Sequence, residues 1–217
     1  MTNQMNREQG LQQIEQTRLI AILRGVEHKD VFRIADALLA GGVTVMEITL
    51  NTEGAAGMIA DLQKEYGDRM FIGAGTVLDA EDARRALDAG ASFLVTPNTD
   101  PEVIHMGVEA GLPVYPGAMT PTEIVTAWKA GATAVKVFPS TGLGLPYLKE
   151  LMGPLNHIPL VAVGGVNEDN VGDFLRAGCS AVGIGGSLIN LKEIAAGNFD
   201  WVRDKASRLT GAIQAAR

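Results

Sequence analysis

A short signature, Ala-Gly-X, recurs along the chain as Ala40-Gly41-Gly42, Ala89-Gly90-Ala91, Ala110-Gly111-Leu112, Ala130-Gly131-Ala132 and Ala177-Gly178-Cys179. Each copy closes an amphipathic stretch and opens an apolar run, as expected where a helix ends on a left-handed glycine and hands over to a strand. Three copies stand about twenty residues apart and the wider gaps are about double that, the period of one strand-helix unit. Apolar runs of strand length lie at Leu19–Leu23, Val43–Thr49, Phe71–Gly75, Ser92–Thr96, Pro113–Tyr115, Thr133–Phe138, Leu160–Val163 and Ala181–Ile184. Between them, residues such as Val31, Ile34, Ala35, Leu38 and Leu39 share one helical face. This alternation predicts a parallel sheet covered by helices.

Eight strands in 217 residues suit an α/β chain closed into a (β/α)8 TIM barrel, organised as a single domain over residues 1–217. The competing architecture is an open, doubly wound sheet. Periodicity does not show closure, but no Gly-x-Gly-x-x-Gly follows the first strand, which favours the barrel. Residues 1–17, ahead of the first strand, are expected to form an extra helix across one end of the barrel. Helix starts are written at Thr120 with Pro121 and Glu123, at Asp100 before Pro101, and at Asp79 before Glu81 and Asp82. Those acids read as caps rather than catalysts.

The formal charge of −7 and the lack of any Lys/Arg run argue against nucleic acid and against an anionic membrane surface as partners. No apolar run approaches the ~20 residues of a bilayer span, and the polar start lacks a signal-peptide core. A cytoplasmic location is expected. The single cysteine, Cys179, leaves no disulfide within a monomer and reads as a buried, inert thiol. His28, His105 and His157 have no ligand spacing, so neither a metal nor another cofactor is expected.

Polar residues inside apolar strands carry the functional signal, because barrel strands alternate between the interior and the helix layer. In Val45-Met46-Glu47-Ile48-Thr49, Met46 and Ile48 facing the helices turns Glu47 inward; in Ala134-Val135-Lys136-Val137-Phe138 the same alternation turns Lys136 inward. A buried ion pair that merely neutralises both charges is the structural alternative. The functional reading is that a desolvated amine loses its proton and attacks carbonyl carbon. Lys29, Lys64, Lys129, Lys149, Lys192 and Lys205 all fall in polar helical or loop contexts.

Arg24 ends the first strand and should stand at the C-terminal mouth, where a substrate anion is its natural partner. Thr76 closes Gly73-Ala74-Gly75-Thr76, whose small residues let a substrate approach the backbone; a turn-only role is the alternative. Val163-Gly164-Gly165-Val166 and Gly183-Ile184-Gly185-Gly186-Ser187 end the last two strands and each leads into a helical segment. They read as a phosphate cradle of free backbone N–H groups and a helix N-terminus, against plain glycine turns.

From about Leu19 to Leu191 these residues resemble the class I aldolases that cleave 2-keto-3-deoxy-6-phospho sugar acids, together with the related 4-hydroxy-2-oxoglutarate aldolases. The resemblance rests on Ile20-Ala21-Ile22-Leu23-Arg24-Gly25, Glu47-Ile48-Thr49-Leu50, Gly73-Ala74-Gly75-Thr76-Val77, Val95-Thr96-Pro97-Asn98, Lys136-Val137-Phe138-Pro139, Ala162-Val163-Gly164-Gly165 and Gly185-Gly186-Ser187. It implies Lys136 as Schiff-base lysine, Glu47 as general acid/base, and Arg24 and Thr76 near the keto-acid carboxylate. Pro97, Phe138 and Val163 join the substrate-binding set, while Gly164, Gly165, Gly185, Gly186 and Ser187 would hold the phosphate. The resemblance also implies a homotrimer and a small phosphorylated keto acid as the partner.

Leu50-Asn51-Thr52 and Val163 match the 6-phosphogalactonate branch, where the 6-phosphogluconate branch commonly has Leu-Arg-Thr and Thr. Phe138-Pro139-Ser140, with Pro146-Tyr147-Leu148-Lys149 after it, points the same way. A hydroxyl at position 163 could bond the C4 hydroxyl of one epimer; Val163 cannot. The implied reaction cleaves 2-dehydro-3-deoxy-6-phosphogalactonate to pyruvate and D-glyceraldehyde 3-phosphate, with the gluconate epimer or 4-hydroxy-2-oxoglutarate as the alternative substrate. More distant readings are a phosphate-binding isomerase or synthase barrel and a non-catalytic sugar-phosphate sensor.

Overall fold

The computed structural model describes residues 4–216. Its strands are β1 (Leu19–Leu23), β2 (Val45–Thr49), β3 (Phe71–Gly75), β4 (Leu94–Val95), β5 (Val114–Tyr115), β6 (Gly117–Ala118), β7 (Val135–Val137), β8 (Leu160–Val163) and β9 (Ala181–Ile184). They form one sheet in the order β5-β4-β3-β2-β1-β9-β8-β7-β6, and every pairing is parallel. The two ends of that order, β5 and β6, are separated in the chain only by Pro116, so the sheet closes on itself. Thr96 N donates to Tyr115 O at 3.3 Å on one side; Thr133 N and Lys136 N donate to Val114 O and Pro116 O at 2.9 and 2.8 Å on the other.

The eight apolar runs are thus the eight staves of a barrel; three strands are shorter than expected, at Leu94–Val95, Val114–Tyr115 and Val135–Val137, and two further boundaries differ. The fifth stave continues beyond Tyr115 to Ala118. Pro116 has no N–H to give the ladder and so looks like a stop in sequence, yet its carbonyl still accepts from Lys136. The second stave begins at Val45 rather than Val43, because Val43 N turns back to Leu38 O at 2.9 Å and finishes the preceding helix.

Helices fill the connections: α2 (Val31–Ala40), α3 (Ala55–Tyr66), α4 (Ala80–Asp88), α5 (Pro101–Glu109), α6 (Pro121–Lys129), α7 (Ser140–Met152, kinked at Gly144), α8 (Val171–Arg176), α9 (Leu191–Ala195) and α10 (Phe199–Ala215). Asp79, Asp100 and Thr120 cap α4, α5 and α6, and Thr120 forms a full capping box with Glu123. Four of the five Ala-Gly junctions end on a left-handed glycine as expected. At Ala40-Gly41-Gly42 the left-handed residue is Gly42, while Gly41 is pressed against Ala206 with no room for a side chain. Among the described residues, no helix is long and apolar enough to cross a membrane.

Alternation along the strands divides the core into two layers. Leu19, Ala21, Met46, Ile48, Val135 and Val137 belong to the layer between strands and helices. Ile20, Ile22, Val45, Phe71, Phe93 and Tyr115 fill the barrel itself, with Phe71 stacked on Phe93 at 4.9 Å between centroids. The N-terminal helix, α1 (Arg7–Thr17), plugs the bottom: Ile14 joins the interior cluster and Gly10 lies against the Phe71 ring. Asn6 and Gln9 cap it reciprocally. The helix expected over residues 1–17 thus starts only at Arg7, after the Asn6 cap, and residues 1–3 lie outside the described residues.

Candidate active site

With its lower end packed by aromatic rings, the barrel opens only at the C-terminal ends of its strands. There Glu47 pairs in register with Ile22 on one side and Gly73 on the other, while Lys136 lies between Gly117 and Val161. Among the described residues, Lys136 is the only buried lysine and Glu47 the only buried carboxylate, at 6% and 2% exposure. No ion pair within 4.0 Å joins them, and Glu47 Oε2 has no hydrogen-bond partner. The structure therefore does not contain the neutralising pair that was the structural alternative.

Burial pushes the Glu47 carboxyl above the usual carboxylate range, an effect that the positive charges of Lys136 and Arg24 partly offset. Burial pushes the Lys136 ammonium below the usual lysine range; Glu47 works against that shift and Arg24 adds to it. Each group is displaced towards its neutral form. A neutral amine is the nucleophile that carbonyl chemistry needs, and a carboxyl poised closer to neutrality can give and take protons. Lys136 Nζ sits 4.9 Å from the centre of the Phe138 ring, which can stabilise a cationic nitrogen.

Glu47 is held by a missing side chain. A Cβ on Gly75 would overlap its carboxyl group, so glycine at the end of β3 is what lets the carboxylate lie across the strand. At the rim, the Arg24 guanidinium donates to Asn51 Oδ1 at 3.0 Å and to Thr76 Oγ1 at 3.2 Å. Thr76 does this from a left-handed backbone, φ 56°, which a β-branched residue rarely adopts.

Every residue assigned above to catalysis or to substrate binding lines one cavity of about 670 Å³. Its lining includes Glu47 and Lys136, the buried pair, with Arg24, Thr76, Pro97, Phe138, Val163, Gly164, Gly165, Gly185, Gly186 and Ser187. The N–H groups of Gly164, Gly165, Gly186 and Ser187 donate to no backbone or side-chain acceptor among the described residues. The hydroxyl of Ser187 donates to Val166 O at 2.7 Å, which leaves its backbone N–H as the donor for an anionic ligand.

One feature of the expected cradle is revised. Neither Gly-Gly pair leads directly into a helix: Gly164 and Gly165 both take left-handed φ values (96° and 73°), and α8 starts only at Val171. Gly186 begins a turn closed by Leu188 N and Ile189 N on Gly185 O, with α9 starting at Leu191. The free amides at both pairs therefore belong to turns, and the helices that follow begin several residues later.

Ile22 and Asn167 also line the cavity without having been assigned a role from the sequence, as do Val166 and Gly183, which were noted only as neighbours of the glycine pairs. The alternation that placed Glu47 inward also places Ile22 and Gly183 inward, so that signal was present. Asn51 was noted only as a branch marker; its contact with Arg24 joins the ends of two different strands, which no local pattern reports.

The model for the family "KDPG and KHG aldolase" matches residues 11–204. The chain is 40% identical over 171 residues to the 2-dehydro-3-deoxy-6-phosphogalactonate aldolase of Escherichia coli strain K12, covering 78% of this chain and 83% of that one. A solved structure described as native KDPGal superposes with a TM-score of 0.86 at 37% identity, covering 91% and 95% of the two chains. A Legionella pneumophila KDPG aldolase, solved with pyruvate captured as a covalent carbinolamine, superposes with a TM-score of 0.85 at 27% identity over 91% and 96%. With a closed barrel, a buried amine and carboxyl at its open end and a family match spanning all of its strands, the chain belongs to the KDPG and KHG aldolase family.

Proposed function

We propose that this protein is a class I aldolase that cleaves 2-dehydro-3-deoxy-6-phosphogalactonate to pyruvate and D-glyceraldehyde 3-phosphate, with Lys136 as nucleophile and Glu47 as proton carrier. The observation that carries this reading is the lone buried lysine facing the same cavity as the lone buried carboxylate among the described residues. The amine of Lys136 attacks the C2 ketone to give a carbinolamine, and Glu47 supplies the proton with which its hydroxyl leaves as water. The resulting iminium draws the C3–C4 bonding electrons towards nitrogen while Glu47 takes the proton of the C4 hydroxyl. The aldehyde departs and an enamine remains. Protonation at C3 and hydrolysis release pyruvate and restore the amine.

The remaining wall residues fit the two ends of such a substrate. Arg24 and Thr76 face the keto-acid carboxylate, with Pro97 and Phe138 against the carbon chain. The unpartnered amides of Gly164, Gly165, Gly186 and Ser187, together with Gly185, take the phosphate. Val163 offers no hydrogen bond near C4, which favours the galactonate epimer; the family as a whole gives cleavage of the gluconate epimer or of 4-hydroxy-2-oxoglutarate as the second reading. A homotrimer in the cytoplasm completes the proposal, on family resemblance alone.

Borohydride reduction in the presence of pyruvate, followed by intact-mass and peptide mapping, tests it. A reduced pyruvyl adduct on Lys136 is expected. An adduct on another lysine would overturn the assignment, and no adduct would overturn the imine mechanism.

A further inference from the structure

At the barrel mouth, Asn51 contacts Arg24 but has no part in the chemistry above. Arg24 is exposed and carries a long side chain with much rotamer freedom to lose. It is nevertheless gripped from two sides: Asn51 Oδ1 accepts from Nη1 at 3.0 Å and Thr76 Oγ1 from Nη2 at 3.2 Å. A guanidinium has five N–H donors. Those two bonds leave Nε–H and one N–H on each terminal nitrogen, enough for a two-pronged bond to a carboxylate.

The backbone beneath this grip is tied as well. Thr52 Oγ1 accepts from Gly25 N at 2.9 Å and is itself bonded to Thr49 Oγ1 at 2.9 Å. The turn that follows β2 thereby clamps the residue that follows Arg24. Arg24 and Thr76 line the cavity and Asn51 stands outside that lining; its side-chain bond to the site is the one to the arginine.

We propose that Asn51 is a positioning residue, which fixes the Arg24 guanidinium towards the carboxylate end of the bound keto acid and so sets carboxylate affinity rather than the rate of carbon–carbon cleavage. The inference rests on the reading of the site as imine-forming. In a site where the arginine is already aimed, its freedom has been lost before the ligand arrives and binding is tighter for it. A hydrogen bond to a charged group of this kind corresponds to about a tenfold change in affinity.

The test uses the full-length protein, its Asn51→Ala, Asn51→Gly and Arg24→Met variants, and the Asn51→Ala/Arg24→Met double variant. The pyruvate concentration needed for half-maximal borohydride trapping, the KM and kcat for cleavage, and inhibition by inorganic phosphate are read for each. Asn51→Ala and Asn51→Gly should both raise the pyruvate requirement and KM about tenfold, with kcat changed less than about twofold and phosphate inhibition unchanged. Asn51→Ala should add nothing once Arg24 is Met. An effect that persists in full in the Arg24→Met background, an Asn51→Gly variant equal to wild type, or an equal loss of phosphate inhibition would each overturn the proposal. Trapping of the wild type with no change in Asn51→Ala sinks this inference alone; no trapping of the wild type sinks the imine reading with it.

Discussion

Gly75→Ala is the smallest change that should separate the position of the Glu47 carboxyl from its identity. Gly75 is the last residue of β3, opposite Thr49 in register, and its backbone is not in the left-handed region, so alanine costs nothing in conformation. What the new methyl meets is the Glu47 side chain: Oε1 would lie 2.8 Å from it, and Cδ and Oε2 closer still. To reach ordinary van der Waals distance the carboxyl group must retreat by about 1 Å. Overpacking of this kind costs about 1–3 kcal/mol of stability, within what a folded barrel tolerates. A proton carrier misplaced by about 1 Å costs about 10²-fold in rate. We therefore expect Gly75→Ala to stay folded by circular dichroism, with a Tm lowered by several degrees, while steady-state cleavage falls about 100-fold and borohydride trapping of pyruvate on Lys136 slows. Gly73→Ala is the control. Its methyl would strike the Phe93 ring below the site, so it should lose stability with a smaller loss of turnover. A Gly75→Ala variant whose kcat stays within threefold of wild type would refute the idea that Glu47 acts from the position this glycine creates.

Two further predictions concern charge and specificity. Burial raises the Glu47 pKa and lowers that of Lys136, so the fold loses stability as pH rises past the carboxyl's ordinary 4.5 and again as pH falls below the amine's ordinary 10.5. The Glu47→Gln/Lys136→Met double variant should be inactive yet more stable than wild type at neutral pH in urea unfolding, because it removes both burial penalties on charge, with that advantage shrinking at both pH extremes; a double variant less stable at neutral pH would contradict it. Val163→Thr places a hydroxyl in the cavity wall and should shift the ratio of kcat/KM for the gluconate over the galactonate epimer upward by about tenfold, and an unchanged ratio in parallel assays of the two epimers would exclude position 163 as the discriminator.

The sequence by itself determined whatever depends on one element at a time. The Ala-Gly junctions and apolar runs marked the strand-helix alternation, the caps at Asp79, Asp100 and Thr120 marked helix starts, and the period of two turned Glu47 and Lys136 inward. Side-chain parity is a property of a single strand, so it is legible before any strand has a neighbour. Closure was decided by the tertiary structure, because a proline inside the fifth stave looks like an end until its carbonyl is seen to accept from Lys136. The absence of a helix directly after the Gly-Gly pairs was likewise invisible: Gly164 and Gly165 are both left-handed and redirect the chain, while Gly185 and Gly186 enter a turn closed on Gly185 O before the helix begins. The contact of Arg24 with Asn51 and Thr76, the separation of Glu47 from Lys136 and the fit of the Glu47 carboxyl over Gly75 all depend on register and tilt between strands that a helix keeps apart in the chain. Those quantities come from packing the whole barrel at once, and they decide which amine shares a cavity with which carboxyl.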